Sequence, residues 1–347
     1  MPARWKHRPP GSNWGEFGPD DQRGRMNYVT PAKVLQGIAE VKDGRTFCLS
    51  LPLDYPGGRV LNPRRGPPRL APTMRGERAN YNFALADHDP LLTDVVCDDL
   101  VLLSLQYSTQ WDSFAHVGSR FDADGTGEPQ LVFYNGFRAG EHIQRAAETP
   151  DAEPWARFEG SRAGALGIEQ LAEHGAQGRG VLIDLHAHVG RARTAIGYDA
   201  LMRILERDRV VVEHGDLVCF YTGFADVVLE YARAPDPDVL HNTCAGLDGR
   251  DDRLLAWITD SGLAALIADN YAVELIPAGA HRPTPHALMP LHEHCLFKNG
   301  IHLGELWYLT ELAGYLRAHG RSRFLLTAPP LRLPGAVGSP AAAVATV

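Results

Sequence analysis

Residues Gln106 to His116 read QYSTQWDSFAH, and this stretch sets Gln106, Gln110, Asp112 and His116 at offsets of 4, 2 and 4. If the chain runs extended here, Gln106, Gln110 and Asp112 share parity and face one side. A helical turn or tight loop starting near Trp111 would fold the His116 imidazole back toward the Asp112 carboxylate. Upstream, Leu100, Val101, Leu102, Leu103 and Leu105 form an apolar run broken by Ser104. That is the pattern of a buried strand leading into a polar end. The plainer alternative is a strand and a polar turn, with the glutamines capping backbone groups and His116 a hydrogen-bonded histidine.

The set has metal-binding chemistry. Aspartate offers a hard anionic oxygen, glutamine a neutral amide oxygen and histidine an imidazole nitrogen, a mixture suited to zinc or manganese. A single carboxylate leaves the ion most of its charge, so that a bound water could fall from a pKa of ~15.7 toward ~7. His116 fits two roles, a fourth ligand or the base that takes the water's proton. Trp111 and Phe114 flank the set and suit either a pocket wall or the core.

The segment resembles the signature of the metal-dependent hydrolase superfamily often labelled "putative cyclase", which includes kynurenine formamidases, isatin hydrolases and trans-dienelactone hydrolase. Formamidases and isatin hydrolases carry H-x3-H-x-D-x3-H. Gln106 and Gln110 stand at both leading histidine positions, which makes the chain similar to the Q-x3-Q-x-D-x3-H variant of the trans-dienelactone hydrolase-like branch. Residues Asn13 to Val34, Gly180 to Asp184, Gly215 to Gly223, Gly300 to Ala313 and Leu326 to Pro340 also resemble family segments, which together span most of the chain. Tyr221 departs from the pattern, standing where relatives often carry Arg before Thr-Gly, and leaves recognition of a substrate anion open.

The resemblance implies the swivelling β/β/α fold, a mixed α/β class, and a homo-oligomer of two or more subunits. It also implies that a histidine and a glutamate about a dozen residues apart complete a second metal position, for which His292 and Glu305 are the best matches. Glu305 then joins His116 as a catalytic candidate, whereas spacing alone makes it a first-turn carboxylate of an amphipathic helix. His294 and His302 are expected at the surface or behind the ligands. The implied activity is a metal-dependent hydrolase opening a small cyclic ester or amide, dienelactone-like first, with metal-activated water. Ring closure of a polyketide, an aryl formamidase and a non-catalytic scaffold are the competing readings.

Composition agrees with an ordinary enzyme. The 347 residues, 44% hydrophobic and 22% charged, can bury a large core. A net charge of −8 without a basic aromatic run argues against nucleic acid and acidic membranes as partners and leaves a small-molecule substrate. The five cysteines are scattered without a C-x-x-C pair, unlike a disulfide framework. No leader-like apolar segment or membrane-length run is found, so a cytoplasmic location is expected.

Along the chain, residues 1–30 form a Gly- and Trp-rich arm that needs a surface to lie on, which in relatives is a neighbouring subunit. Residues 31–340 form one hydrolase domain, and 341–347 an Ala-rich tail. Residues 55–90 carry a Pro/Arg/Gly cluster that suggests a loop or lid. A cationic lid over an anionic substrate is one reading, and a solvated loop the other. Strands are expected at Val181 to Leu185 and Val210 to Phe220, and helices at Tyr198 to Arg207, Arg253 to Asp260 and Leu306 to Arg317.

One rival set exists. Asp184, His186 and His188 could sit on a strand like the H-x-H pair of barrel amidohydrolases, with His214, His241 and Asp269 as further ligands. Only 159 residues follow His188, too few for the rest of a barrel of ~250 residues. No G-x-S-x-G elbow, P-loop or G-x-G-x-x-G follows a strand. Asp122 to Gly125 is too short for a calcium loop.

Overall fold

The computed structural model describes residues 3–148, 158–278 and 285–347. Its strands relevant to the site are β1 (Thr46–Cys48), β2 (Arg69–Pro72), β3 (Asp99–Leu102), β4 (Gln110–Asp112), β5 (Gln177–Asp184) and β6 (Leu217–Tyr221). They continue with β7 (Ala265–Ala268), β8 (His302–Glu305), β9 (Arg323–Thr327), β10 (Gly338–Pro340) and β11 (Val344–Thr346). Nine of them form one sheet in the order β1-β11-β9-β5-β6-β7-β8-β4-β10. Strands β5 to β8 run parallel at its centre, and the flanking strands pair antiparallel.

The continuous apolar runs of β6 and β7, and of Val181 to Ile183 in β5, suit strands covered on both faces. Side-chain alternation divides them between two cores. Val218 and Phe220 join one cluster with Leu254 and Ile258 of α3 (Asp252–Asp260) and Leu201 and Ile204 of α2 (Tyr198–Asp208). Leu217, Cys219 and Tyr221 join the other, with Trp111, Trp307 and Leu312. Asp251 caps α3 by accepting from Arg253 N (2.9 Å) and Leu254 N (3.2 Å), which meets two donors that a helix start leaves unpaired. At the entry to β6, buried Asp216 accepts from Arg179 (2.8 and 2.9 Å) and Lys33 (3.1 Å), tying strand to strand and to α1 (Pro31–Ala39). Among the described residues no helix is long and apolar enough to cross a membrane.

Several local expectations change. Leu100 to Leu102 do not form a buried strand. Among the described residues their strand β3 pairs only with β2 in a two-stranded ladder, leaving Leu70, Leu100 and Val101 74%, 51% and 51% exposed. Residues 210–216 are not strand, because a turn closes over 213–216 before β6 begins, with Asp216 N donating to Glu213 O (3.0 Å) and Asp216 Oδ2 accepting from Glu213 N (2.7 Å). The helix expected from Leu306 starts instead at Thr310, as α4 (Thr310–Ala318). Leu306 has φ +56°, and its N–H and that of Trp307 bond Asn270 O and Ala268 O, which continues the strand exit. Residues 341–347 carry β11 inside the sheet, with Val347 fully buried. Within the chain, Trp14 Nε1 of the N-terminal arm donates to Phe297 O at 2.8 Å.

Candidate metal centre

Strand β4 lies between β8 and β10, with Gln110 opposite Glu305 and Pro340, and Asp112 opposite Leu303 and Gly338. Because side chains alternate, Gln110 and Asp112 face one side and Trp111 the other. Trp111 donates to Ala328 O (2.7 Å) and packs edge-on against Trp307 at 5.1 Å. It therefore braces the ligand strand from behind and does not wall the cavity. Phe114 is likewise core, stacked on His302 at 4.0 Å. The chain then turns through His116 N→Ser113 O (3.0 Å), which brings His116 Nε2 to 3.9 Å from Asp112 Oδ1.

His292 arrives from the opposite side, at the end of the short helix Pro290–His292, which continues as a π-helical stretch through Lys298. Its Nε2 lies 3.1 Å from Glu305 Oε1 and its Nδ1 2.9 Å from Glu274 Oε1. Glu274 also accepts from the backbone N–H groups of Leu291 (3.1 Å) and His292 (3.0 Å), so it fixes both the turn and the ring. Gln110 Nε2 donates to Glu305 Oε2 at 3.1 Å. Ligand atoms of Asp112, His292 and Glu305 all lie within 4.8 Å of one another, and all three residues are buried.

The residues fit a divalent ion. Both carboxylate oxygens of Asp112 and the amide oxygen of Gln110 are buried without a hydrogen-bond partner among the described residues. Such atoms are costly unless something completes them. Burial, then the neighbouring Glu305 charge, pushes the Asp112 carboxyl up to about 8. Burial pulls the His292 imidazole down, but its hydrogen bonds to Glu274 and Glu305 more than offset that and hold it at about 10. Burial, aided by the His292 and Arg65 charges, pushes His116 down to about 4 and keeps it neutral. Two carboxylates, one amide oxygen and imidazole nitrogens are a donor set for a divalent cation.

The structure thus brings together Gln110, Asp112, His116, His292 and Glu305. Gln106 does not share the strand. It sits on a turn, with Tyr107 N bonding Ser104 O, and its side chain lies against Gly338 Cα, opposite Asp112. It lines the same cavity of about 480 Å³ as His116, His292 and Glu305. Glu305 ends a strand and does not open a helix. His294 and His302 are not surface residues: His294 Nε2 meets Thr259 Oγ1 (2.9 Å), and His302 Nδ1 donates to Asp112 O (2.9 Å). Sequence reasoning missed Glu274, whose distance along the chain from His292 gives no periodic signal.

The rival set does not assemble. Asp184 pairs with Arg317, His188 with Asp208 (2.7 Å), and Asp269 accepts from Thr222 N and Gly223 N. His214 packs on Tyr28, while His241 bonds Tyr271 OH at the cavity wall. Tyr221 donates to Asp226 (2.9 Å) and does not line the cavity.

Comparison with known proteins identifies relatives of the whole chain. The sequence pattern of the family described as "Putative cyclase" matches residues 49–275. A crystal structure described as that of a novel cyclase is 30% identical, with TM-score 0.72 over 97% of each chain. Isatin hydrolase A from Labrenzia aggregata (14% identity, TM-score 0.53, covering 90% of this chain and 97% of its own) has the same fold. So does isatin hydrolase A from Ralstonia solanacearum (16%, 0.53, 91% and 97%). No curated protein sequence matches the chain.

Proposed function

Because the chain belongs to the cyclase family, we propose that it is a metal-dependent hydrolase that opens a small cyclic ester or amide. The observation that carries this reading is the unpartnered Asp112 carboxylate, held beside Gln110, His292 and Glu305 at the foot of a cavity sized for a small molecule. Asp112, Glu305, His292 and the free Gln110 oxygen would hold the ion. When bound it would supply a Lewis acid and acidify water toward pKa ~7.

The remaining work falls to the chain. Glu274 accepts from His292 Nδ1 and fixes the ring, so that an ion displacing the Nε2 proton would find the freed lone pair pointing into the site. Neutral His116, its side chain 21% exposed into the cavity, accepts a proton and returns it to the leaving oxygen or nitrogen. Tyr107, Tyr271, Leu288 and Met289 offer apolar surface to a flat ring.

The test is metal analysis of protein purified without chelator, followed by hydrolysis of a panel of lactones, cyclic amides and an aryl formamide. Activity should vanish on dialysis against chelator and return on metal titration. Full hydrolysis by metal-free protein would sink the reading.

A further inference from the structure

The reaction above uses the ring of Tyr271 but not its hydroxyl. Tyr271 follows β7 and His116 follows β4, so the two reach the cavity from the strands on either side of β8, which carries Glu305. Behind Tyr271 the backbone turns sharply, with Ala272 and Val273 at φ +81° and +58°, a conformation that a β-branched residue rarely adopts. Such strain persists only where the surroundings over-determine it. Here the turn separates Tyr271, which lines the cavity, from Glu274, which holds His292. The Tyr271 ring packs on Phe224 at 5.5 Å and edge-on against the His241 imidazole at 5.6 Å.

The hydrogen bonds fix which way this pair is polarised. His241 ends the short helix Pro237–His241, with its Nε2 3.3 Å from Val60 O and its Nδ1 2.7 Å from Tyr271 OH. A carbonyl oxygen only accepts, so Nε2 carries the one proton of the neutral ring and Nδ1 is bare. The single Tyr271 proton is therefore committed to His241 Nδ1. Among the described residues His241 is the one hydrogen-bond partner of this hydroxyl, so the lone pairs of its oxygen have no donor. Burial outweighs the nearby Arg193 charge and, together with Glu305, keeps the hydroxyl from ionising.

We propose that Tyr271 sets specificity as a fixed acceptor, taking a hydrogen bond from a hydroxyl or N–H group on the substrate ring, and that His241 is the positioning residue that holds it in that state. A ring edge offering only ether or carbonyl oxygens finds no donor in Tyr271. Which bond is then opened rests on the hydrolase reading above, whereas the polarity of this wall can be measured by binding alone.

The experiment titrates the full chain, as purified, with phenol and with anisole, which lacks the donor, at pH 8 under ligand-observed NMR. The parent should bind phenol about 3- to 10-fold more tightly than anisole, the worth of one hydrogen bond. Tyr271→Phe keeps the ring and should bring the two probes within about twofold by weakening phenol alone. His241→Leu should level them from the other side. It frees the Tyr271 proton, so anisole should gain about 3- to 10-fold while phenol changes little. A merely structural role would weaken both probes together. Equal affinities in the parent, a phenol preference that survives Tyr271→Phe, or anisole unmoved by His241→Leu would each overturn the proposal. His241 is exposed, so its variant answers even if Tyr271→Phe fails to fold. A phenol preference in metal-loaded protein that opens no lactone or cyclic amide would refute the hydrolase reading alone. Hydrolysis without that preference would refute the acceptor alone.

Discussion

Replacing Glu274 by Gln tests the centre through a residue that does not itself enter the cluster of ligand atoms. Glu274 is 1% exposed and accepts three hydrogen bonds, at 3.1 Å from Leu291 N, 3.0 Å from His292 N and 2.9 Å from His292 Nδ1. The amide keeps the shape but turns one acceptor into a donor, which must then face a backbone N–H or the imidazole. Loss of a carboxylate behind a ligating histidine lowers metal affinity about 10- to 100-fold, equivalent to about 1.4–2.7 kcal/mol. A backbone N–H left unpaired in the interior costs a further ~1–3 kcal/mol of fold stability. The assay pairs zinc competition against a chromophoric chelator with urea unfolding of the metal-free protein. Both quantities should fall. If stability drops while zinc affinity stays within about twofold, Glu274 only caps the helical turn, and the argument that it aims His292 is wrong.

His116→Asn should cut kcat by about 10²–10⁴-fold while leaving zinc affinity within about threefold; a matching loss of zinc would make His116 a ligand. Asp112→Asn should abolish metal binding yet stabilise the metal-free fold against urea by about 1–3 kcal/mol at neutral pH, since the folded state must otherwise protonate this unpartnered acid, held at about 8 by burial and Glu305. Gly37→Ala should destabilise by about 1–3 kcal/mol despite a helix-propensity gain of ~1 kcal/mol, because the added Cβ would sit 2.8 Å from the Gly178 backbone on β5. Burial holds His294 and His302 at about 4, below the ordinary histidine value. The unfolded chain therefore takes up protons that the fold refuses as pH drops through ~6.5, so stability is intact above ~7 and is lost toward pH 4 by up to ~3 kcal/mol per group. Urea midpoints of metal-free protein should show that acid limb, and His294→Gln and His302→Gln should each flatten it.

The centre was legible where chemistry follows local spacing. The parity of Gln110 and Asp112 and the four-residue step to His116 are properties of a strand and a turn, and both read directly from the letters. His292 and Glu305 lie far along the chain and emerged only through resemblance, because parallel strand order is not written in any one segment. Glu274 gave no signal at all: its partners belong to a turn that the sequence reaches much later. The errors share one cause. Leu100 to Leu102 look like any buried apolar strand, yet among the described residues no layer covers them and they stay exposed. In the same way, the apolar rhythm from Leu306 onward continues without interruption, while tertiary hydrogen bonds delay the helix to Thr310.

The back-to-back arrangement on β4 also acts as an error check. Gln110 and Asp112 face the candidate metal centre, while Trp111 fits against Trp307 on the reverse side. A slip of one residue against β8 would drive an indole into the ligand cluster and bury an amide and a carboxylate among the aromatics. The misaligned sheet would then be both unstable and unable to hold an ion. Metal uptake would therefore certify the strand register, which makes correct folding a condition of being charged with metal.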